Sequence, residues 1–335
     1  MTRPPARIPA GDAEKTAIAA LMRSGALPEN ALPVARAMVR AEIEGNAVCG
    51  LYYLPIFCAH LGCGKVDGKA KPQVVPDQAA IKVDARHGFA HPAIEAGLPH
   101  LIDAARTFGI AALSIRNSYN CLALSHHVRP LAKEGLIGLS MANAPASVAP
   151  PGATRAIFGT NPIAFAAPMA DGDMIVVDQS MSAVTKTEMA MRRDRGQPIP
   201  TGWAQDRSGA PTTDAGEGLR GSLLPSGGQK GANLALMIEI LATALTGAEL
   251  SSQASMFGDN QGGPPGVGQF MLAIDPARFS AGFAESLGAL AESFQAAGVR
   301  LPGSGATAGK QDRDSILIDV DADLWQRCLD LAQGR

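Results

Sequence analysis

Over the first 60 residues the apolar positions recur at helical spacing. Asp12 can cap a helix that runs through Met22, and Asn30 can cap a second in which Leu32, Val34, Ala35, Met38 and Val39 fall near one face. Gly62, Gly64 and Gly68 break that pattern, and the stretch 65–78, with its Lys, Pro and Asp residues, reads as a connector and a domain boundary. From Ala80 the texture changes to alternating strands and helices. Ile81 to Val83 predicts a short strand, His87 to Pro92 a turn, residues 93–107 a helix and Ile110 to Ile115 a strand. The turn at Asn117 and Ser118 then falls at the carboxyl end of a strand, where α/β proteins put ligands. The residues after it open a helical pattern to about Lys133, stopped near Gly135 and followed by the strand Leu136 to Met141. This reads as a βαβ unit with a right-handed crossover and parallel strands.

Residues 144–158 are rich in Pro, Ala and Gly and read as a loop. Ile163 to Ala167 and Met174 to Val177 predict strands, the second ending at Asp178. A helix closing on Arg192, Arg193, Asp194 and Arg195 follows, then a polar segment to about residue 220 that reads as irregular surface or lid. Gly227-Gly228-Gln229-Lys230-Gly231 stands directly before Ala232 to Leu245, a helix apolar almost all round and therefore expected to be buried. Glycines at a helix start let backbone N–H groups approach an anion, and they equally make a plain tight turn. Phe270 to Ile274 predicts a strand, 276–298 a helix, Asp314 to Asp319 a strand and 321–333 a closing helix.

Length and composition narrow the functional classes. The 335 residues are enough for two domains, and 46% hydrophobic with 18% charged residues describes an ordinary globular chain. A formal charge of −2 without a Lys/Arg block argues against nucleic-acid and anionic-membrane partners, which need a concentrated basic surface. No apolar run is long enough to span a bilayer and no leader pattern opens the chain, so the expectation is a cytoplasmic protein acting on a small molecule. Cys49, Cys58, Cys63, Cys121 and Cys328 show no C-x-x-C pair, so neither a disulfide framework nor a metal site is expected. The strand-following G-x-G-x-x-G dinucleotide fingerprint and the G-x-S-x-G, H-E-x-x-H and Walker patterns are absent as well. The residues by themselves therefore reach an α/β protein with a helical domain and a candidate anion site.

Several stretches together resemble the NAD(P)-dependent malate and L-lactate dehydrogenases of the second type, which are unrelated to the Rossmann-type enzymes of similar name. They are Arg116-Asn117-Ser118, Gly135 to Gly138, Gly159 to Phe165, Pro200 to Ala204, Pro211 to Asp214, Gly227 to Gly231 and Ala273 to Pro276, in the family's order and spacing. His87 to Ala90 and the Lys230 to Ser251 region look most like the branch that reduces the cyclic imines Δ1-piperideine-2-carboxylate and Δ1-pyrroline-2-carboxylate. The resemblance implies a nonclassical NAD(P)-binding α/β domain, 78–298, and a helical domain built from 1–77 with 299–335. It also implies a homodimer with active sites near the subunit interface. NADPH or NADH, with NADPH favoured, would touch Asn120, Cys121, Leu122, Ala123 and Leu124, then Asp178, Gln179 and Ser180. Gln229 and Lys230, with Pro302, Gly303, Ser304 and Gly305, would complete that site, and Thr160 would lie near the substrate.

The family's Ser-His-Gly motif and following Arg are Val48-Cys49-Gly50 and Tyr53 here, and its Asn-Ser-His-His is Asn117-Ser118-Tyr119-Asn120. Both expected histidines are lost. Reducing a ketone needs a proton for the new alkoxide, whereas an iminium ion arrives already protonated on nitrogen. Three readings follow. One is an NAD(P)H-dependent reductase of a C=N or C=O bond in which Tyr52, Tyr53 or Tyr119 replaces the acid, Asn120 keeps a catalytic position and Cys49 lines the pocket. A second is a malate/lactate-type 2-hydroxyacid dehydrogenase using His126 or His127. The third is a nucleotide-binding protein without chemistry.

Overall fold

The computed structural model describes residues 4–303 and 315–335. The chain opens with strand β1 (Ala6–Pro9) and two helices, α1 (Ala10–Arg23) and α2 (Pro28–Ile43). Asp12 and Asn30 both lie inside the first helical turn rather than at the cap. Pro28 supplies the start of α2 with the φ a first helical residue needs. Asn30 is buried, and its side-chain amide donates to the carbonyls of Gly68 (2.8 Å) and Ala70 (3.0 Å), so it pins the following connection instead of capping. Two tight turns, 47–49 and 51–53, lead into α3 (Leu54–Cys63).

The stretch read as a connector carries strand β2 (Gln73–Asp77), which pairs with β3 (Ala80–Asp84). Helix α4 (Ala90–Phe108) returns the chain to β4 (Ile110–Ser118), parallel to β3, so the parallel βαβ unit is β3–α4–β4. Helix α5 (Ser125–Lys133), β5 (Ile137–Ala142), β6 (Ile163–Pro168) and β7 (Met174–Gln179) follow. The expected pairing of β4 with β5 does not form. Residues 267–274 insert between them, antiparallel to both, and the large sheet runs 73–77, β3, β4, 267–274, β5, β6, β7.

Helix α6 (Lys186–Asp194) is capped by Thr185, whose Oγ1 accepts the Glu188 amide at 3.1 Å. The polar segment expected to be irregular folds as a small three-stranded sheet, β8 (Ala204–Gln205), β9 (Pro211–Thr212) and β10 (Ser222–Leu223), with α7 (Ala215–Arg220) before its last strand. Helix α8 (Gln229–Glu239) widens into a π-helical turn over 240–244. It is not buried all round: Leu234, Met237, Ile240 and Leu245 stand 45–57% exposed. Strand β11 (Val267–Ile274), helix α9 (Phe283–Ala296), strand β12 (Leu317–Val320) and α10 (Ala322–Gln333) complete the chain. β12 pairs with β1, and Ile318, Val320 and Cys328 from the C-terminal end share an apolar core with α1, α2 and Phe57. A separate core lies between the large sheet, α4 and α5.

Candidate active site

The segment after β4 is a loop, Tyr119 to Leu124, and α5 starts only at Ser125. Two polar side chains shape it. Asn117, in the left-handed region at φ 50°, donates to both oxygens of Asp84 at 3.0 Å, and Asn120 Oδ1 accepts the Leu122 amide at 2.9 Å. Leu122 is itself held at φ 56°, a conformation costing a non-glycine residue about 1–2 kcal/mol. Helix α5 does not extend back over these residues because Asp178, near the end of β7, accepts the Ser125 amide at 2.7 Å and fixes the helix start there.

A cavity of about 650 Å³ opens between this loop, the end of β7, the turn at Cys49–Tyr53, one face of α6 and the segment 256–259. Cys49, Tyr52, Tyr53, Asn120, Cys121, Leu122, Ala123, Thr160, Asp178, Gln179 and Ser180 all line it. These residues come from segments far apart in sequence, and the fold brings them to one wall. Others expected there stand elsewhere. Tyr119 is buried behind the loop among Phe57, Phe89 and Phe257, its hydroxyl bonded to His60 Nδ1. Leu124 is packed in the sheet core. Gln229 and Lys230 are exposed at the head of α8 and do not line the cavity, and Gln229 Nε2 bonds Asn233 at 2.9 Å. There Gly227 and Gly228 have φ of 65° and 62°, and any Cβ on Gly231 would meet the Ser226 carbonyl oxygen, so the glycines serve the turn. Pro302 accepts the Val176 amide at 3.0 Å and Gly303 lies against Val176, two residues from Asp178. Ser304 and Gly305 lie outside the described residues.

The acid–base character of the cavity is set by burial. Burial, then the charge of Asp178, pushes the Cys49 and Cys121 thiols up to about 12. Burial likewise pushes the Tyr53 hydroxyl up to about 12, although it shares a 2.8 Å hydrogen bond with Thr187 Oγ1. Tyr52 is raised by burial and then by Asp194, and Asp178 is raised by its own burial. Lys186, on the cavity side of α6, is lowered by burial. His126 and His127 do not line the cavity. His127 sits behind the loop with Nε2 3.0 Å from the Cys121 carbonyl, and burial brings it down to about 4.

Three contributors were not singled out in the sequence. Lys65 is fully buried and donates to the carbonyls of Met256 (2.5 Å), Asp259 (3.0 Å) and Gln261 (2.7 Å), fastening the segment that closes the cavity. His60 adds a 2.8 Å contact to the Asp259 carbonyl. Lys186 is the third, and the Thr185–Glu188 capping pair was the available sign that a helix begins beside it. The space matches a nicotinamide with a small substrate: cofactor pockets run to several hundred Å³. The apolar residues Leu122, Ala123 and Pro162 offer surface for a flat ring, and Gln179 and Ser180 offer polar groups.

Residues 8–328 match the profile of the malate/L-lactate dehydrogenase family. The chain is 42% identical over 307 residues to the (2R)-3-sulfolactate dehydrogenase (NADP(+)) of Chromohalobacter salexigens, covering 91% of this chain and 92% of that protein. It is 40% identical over 302 residues to a Δ1-pyrroline-2-carboxylate/Δ1-piperideine-2-carboxylate reductase of Pseudomonas putida, covering 89% and 88%. Among solved structures, the Δ1-piperideine-2-carboxylate reductase of Pseudomonas syringae pvar. tomato superposes with a TM-score of 0.91 at 35% identity, covering 97% of this chain and 99% of that one.

Proposed function

The chain belongs to the malate/L-lactate dehydrogenase family and is an NAD(P)-dependent oxidoreductase, and from that premise we propose that it reduces a small cyclic imine of the Δ1-pyrroline- or Δ1-piperideine-2-carboxylate kind. The observation that carries this reading is the lining of the cavity: among the described residues no histidine faces it, and burial drives its two tyrosines and two cysteines upward, away from working pH, which leaves Lys186 and Asp178 among its other titratable groups. A 2-oxoacid would leave an alkoxide needing a proton from a group near working pH. A cyclic iminium ion needs none in the hydride step, and the Asp178 carboxylate favours the cationic form of a bound imine nitrogen. When bound, the reduced nicotinamide supplies the hydride.

In this reading Asn120 to Ala123 and Asp178 to Ser180 hold the dinucleotide, with Pro302 and Gly303 behind them, while Tyr52 and Thr160 face the substrate. Cys49 and Tyr53 stay neutral and close one side of the pocket against water. The sulfolactate enzyme's dependence on NADP(+) supports NADPH as the donor. The same relative favours a second reading, oxidoreduction of a 2-hydroxyacid such as a sulfonated lactate. NADPH oxidation by purified protein separates the two. The expected result is turnover with cyclic imines; turnover with 3-sulfopyruvate, pyruvate or oxaloacetate but not with imines would sink the first reading.

The two separate cores support a helical unit from both chain ends and an α/β unit, and with β2 paired into the large sheet the boundary we propose lies before residue 73. Among the described residues no helix is long and apolar enough to cross a membrane, and the proposed compartment is the cytoplasm. The outward apolar side of α8 supports a homodimer. Light scattering that returned the mass of one chain would end that reading.

A further inference from the structure

A substrate of either class carries a carboxylate next to the reacting carbon, and the cavity must supply its counter-charge. Among the described residues, the cationic side chains lining the cavity are Lys186 and Arg193. Both stand on α6 with Ala190 between them, also facing the cavity. Positions i, i+4 and i+7 share one helical face, so the small Ala190 leaves room between two positive charges. They are not equivalent. Arg193 is half exposed and paired with Asp194 at 2.7 Å. Lys186 is largely buried, and among the described residues it has no hydrogen bond or salt bridge.

Asp259, the carboxylate whose charge acts on it, is committed elsewhere: it lies 3.5 Å from Lys65 Nζ and accepts the Gln261 amide at 2.9 Å. A buried ammonium without a hydrogen-bonding partner is costly, and the cost is relieved when an anion arrives. The residue after it, Thr187, holds the Tyr53 hydroxyl at 2.8 Å, and that hydroxyl also lies within reach of Asn120 on the cofactor loop. The ammonium thus stands one residue from a hydroxyl pair that joins α6 to the reaction side of the cavity.

We propose that Lys186 is the anchor for the substrate carboxylate, with Arg193 at the rim drawing the anion in. This rests on the reductase reading for the identity of the substrate, but not for the existence of the anion subsite. It makes Lys186 a specificity-determining residue: its ammonium holds the carboxylate while the neighbouring carbon faces the nicotinamide. The negative Asp178 on another wall then complements the other end of a zwitterionic iminium carboxylate.

Binding without turnover tests it. Pyrrole-2-carboxylate is planar and cannot be reduced like an imine, and pyrrole-2-carboxamide is its neutral counterpart; both are titrated calorimetrically into the full-length protein with NADPH bound. In Lys186→Met the carboxylate should bind roughly 10- to 100-fold more weakly, the size of a lost charge-assisted hydrogen bond. The carboxamide and NADPH should change less than about threefold, and Lys186→Arg should restore most of the carboxylate affinity. Unchanged carboxylate affinity in Lys186→Met overturns the proposal. So does an equal loss for the carboxamide, or a loss confined to NADPH, which would assign the charge to the cofactor phosphate. A wild-type protein that binds the carboxylate through Lys186 yet reduces no cyclic imine keeps the anchor and removes only the reductase reading.

Discussion

The loop 119–124 has two sides that differ in kind. Its front, Asn120 to Ala123, faces the cavity with backbone groups and small or apolar side chains. Its back is a packed network: Tyr119 sits among three phenylalanine rings and bonds His60, while His127 bonds the Cys121 carbonyl. Two tyrosines make the contrast plain. Tyr53, in front, shares its hydroxyl with Thr187 beside open space, whereas Tyr119, behind, gives its hydroxyl to a buried imidazole whose other nitrogen meets the Asp259 carbonyl. Histidines are absent from the front and cluster at the back, where burial keeps them neutral. His60 and His127 thus brace the back of the loop, outside the cavity lining.

If that division holds, acid should attack the back first. Burial lowers His127 from 6.5 to about 4, so above pH 6.5 the folded and unfolded chains both carry it neutral and nothing is lost. As pH falls below 6.5 the unfolded chain takes up a proton that the folded chain refuses until about 4, and stability drops by roughly 3 kcal/mol from this group. Urea unfolding at pH 7.5 and 4.5 measures it, and His127→Gln should shrink the difference by about that amount while His91 and His60, also lowered by burial, keep their share; an unchanged difference in that variant would mean His127 is not a source.

Next in size, Tyr119→Phe leaves His60 Nδ1 buried without its partner, at a cost of about 1–3 kcal/mol in unfolding free energy. Cofactor and substrate constants should move less than about twofold, because the hydroxyl faces away from the cavity. A large fall in kcat with stability intact would return Tyr119 to the front. Tyr53→Phe is the smallest expected change, about 1 kcal/mol or less in stability. Its turnover of cyclic imines should stay within about threefold, whereas any 2-oxoacid reduction should fall by about 10²-fold or more if Tyr53 supplies that proton. Equal losses on both substrates would break the distinction.

Much of the front was legible in the sequence. Asn120 to Ala123 and Asp178 to Ser180 come from the family resemblance, and each segment follows an apolar run that ends as a strand, where ligands are expected. The back was less so. Tyr119 reads as a candidate acid because it stands where the family has a histidine, and its hydroxyl partner, His60, lies 59 residues away on another element, beyond the reach of local pattern. Lys65 was invisible for the same reason: its ammonium is satisfied by carbonyls some 190 residues downstream, and local pattern assigns a lysine to solvent. β2 was read as a connector because an edge strand, exposed at Gln73, Val75, Pro76 and Asp77, lacks a clean apolar alternation. The glycines at 227–231 suit an anion cradle and a tight turn alike, because both ask for the same residues, and here they form the turn at the head of α8, outside the cavity lining. The apolar residues of helix α8 predict burial, whereas in this chain Leu234, Met237, Ile240 and Leu245 stand exposed.

The insertion of β11 between β4 and β5 carries a consequence for synthesis. Its register joins Val267 to Ser118 and Gln269 to Ala142, so the centre of the sheet stays open until residues 267–274 have left the ribosome. Until then a nascent chain holds two strand edges with unpaired amides and carbonyls, the kind of surface that other chains pair with. Such late, long-range closure slows folding, and truncations ending before residue 267 should aggregate rather than yield a smaller stable domain.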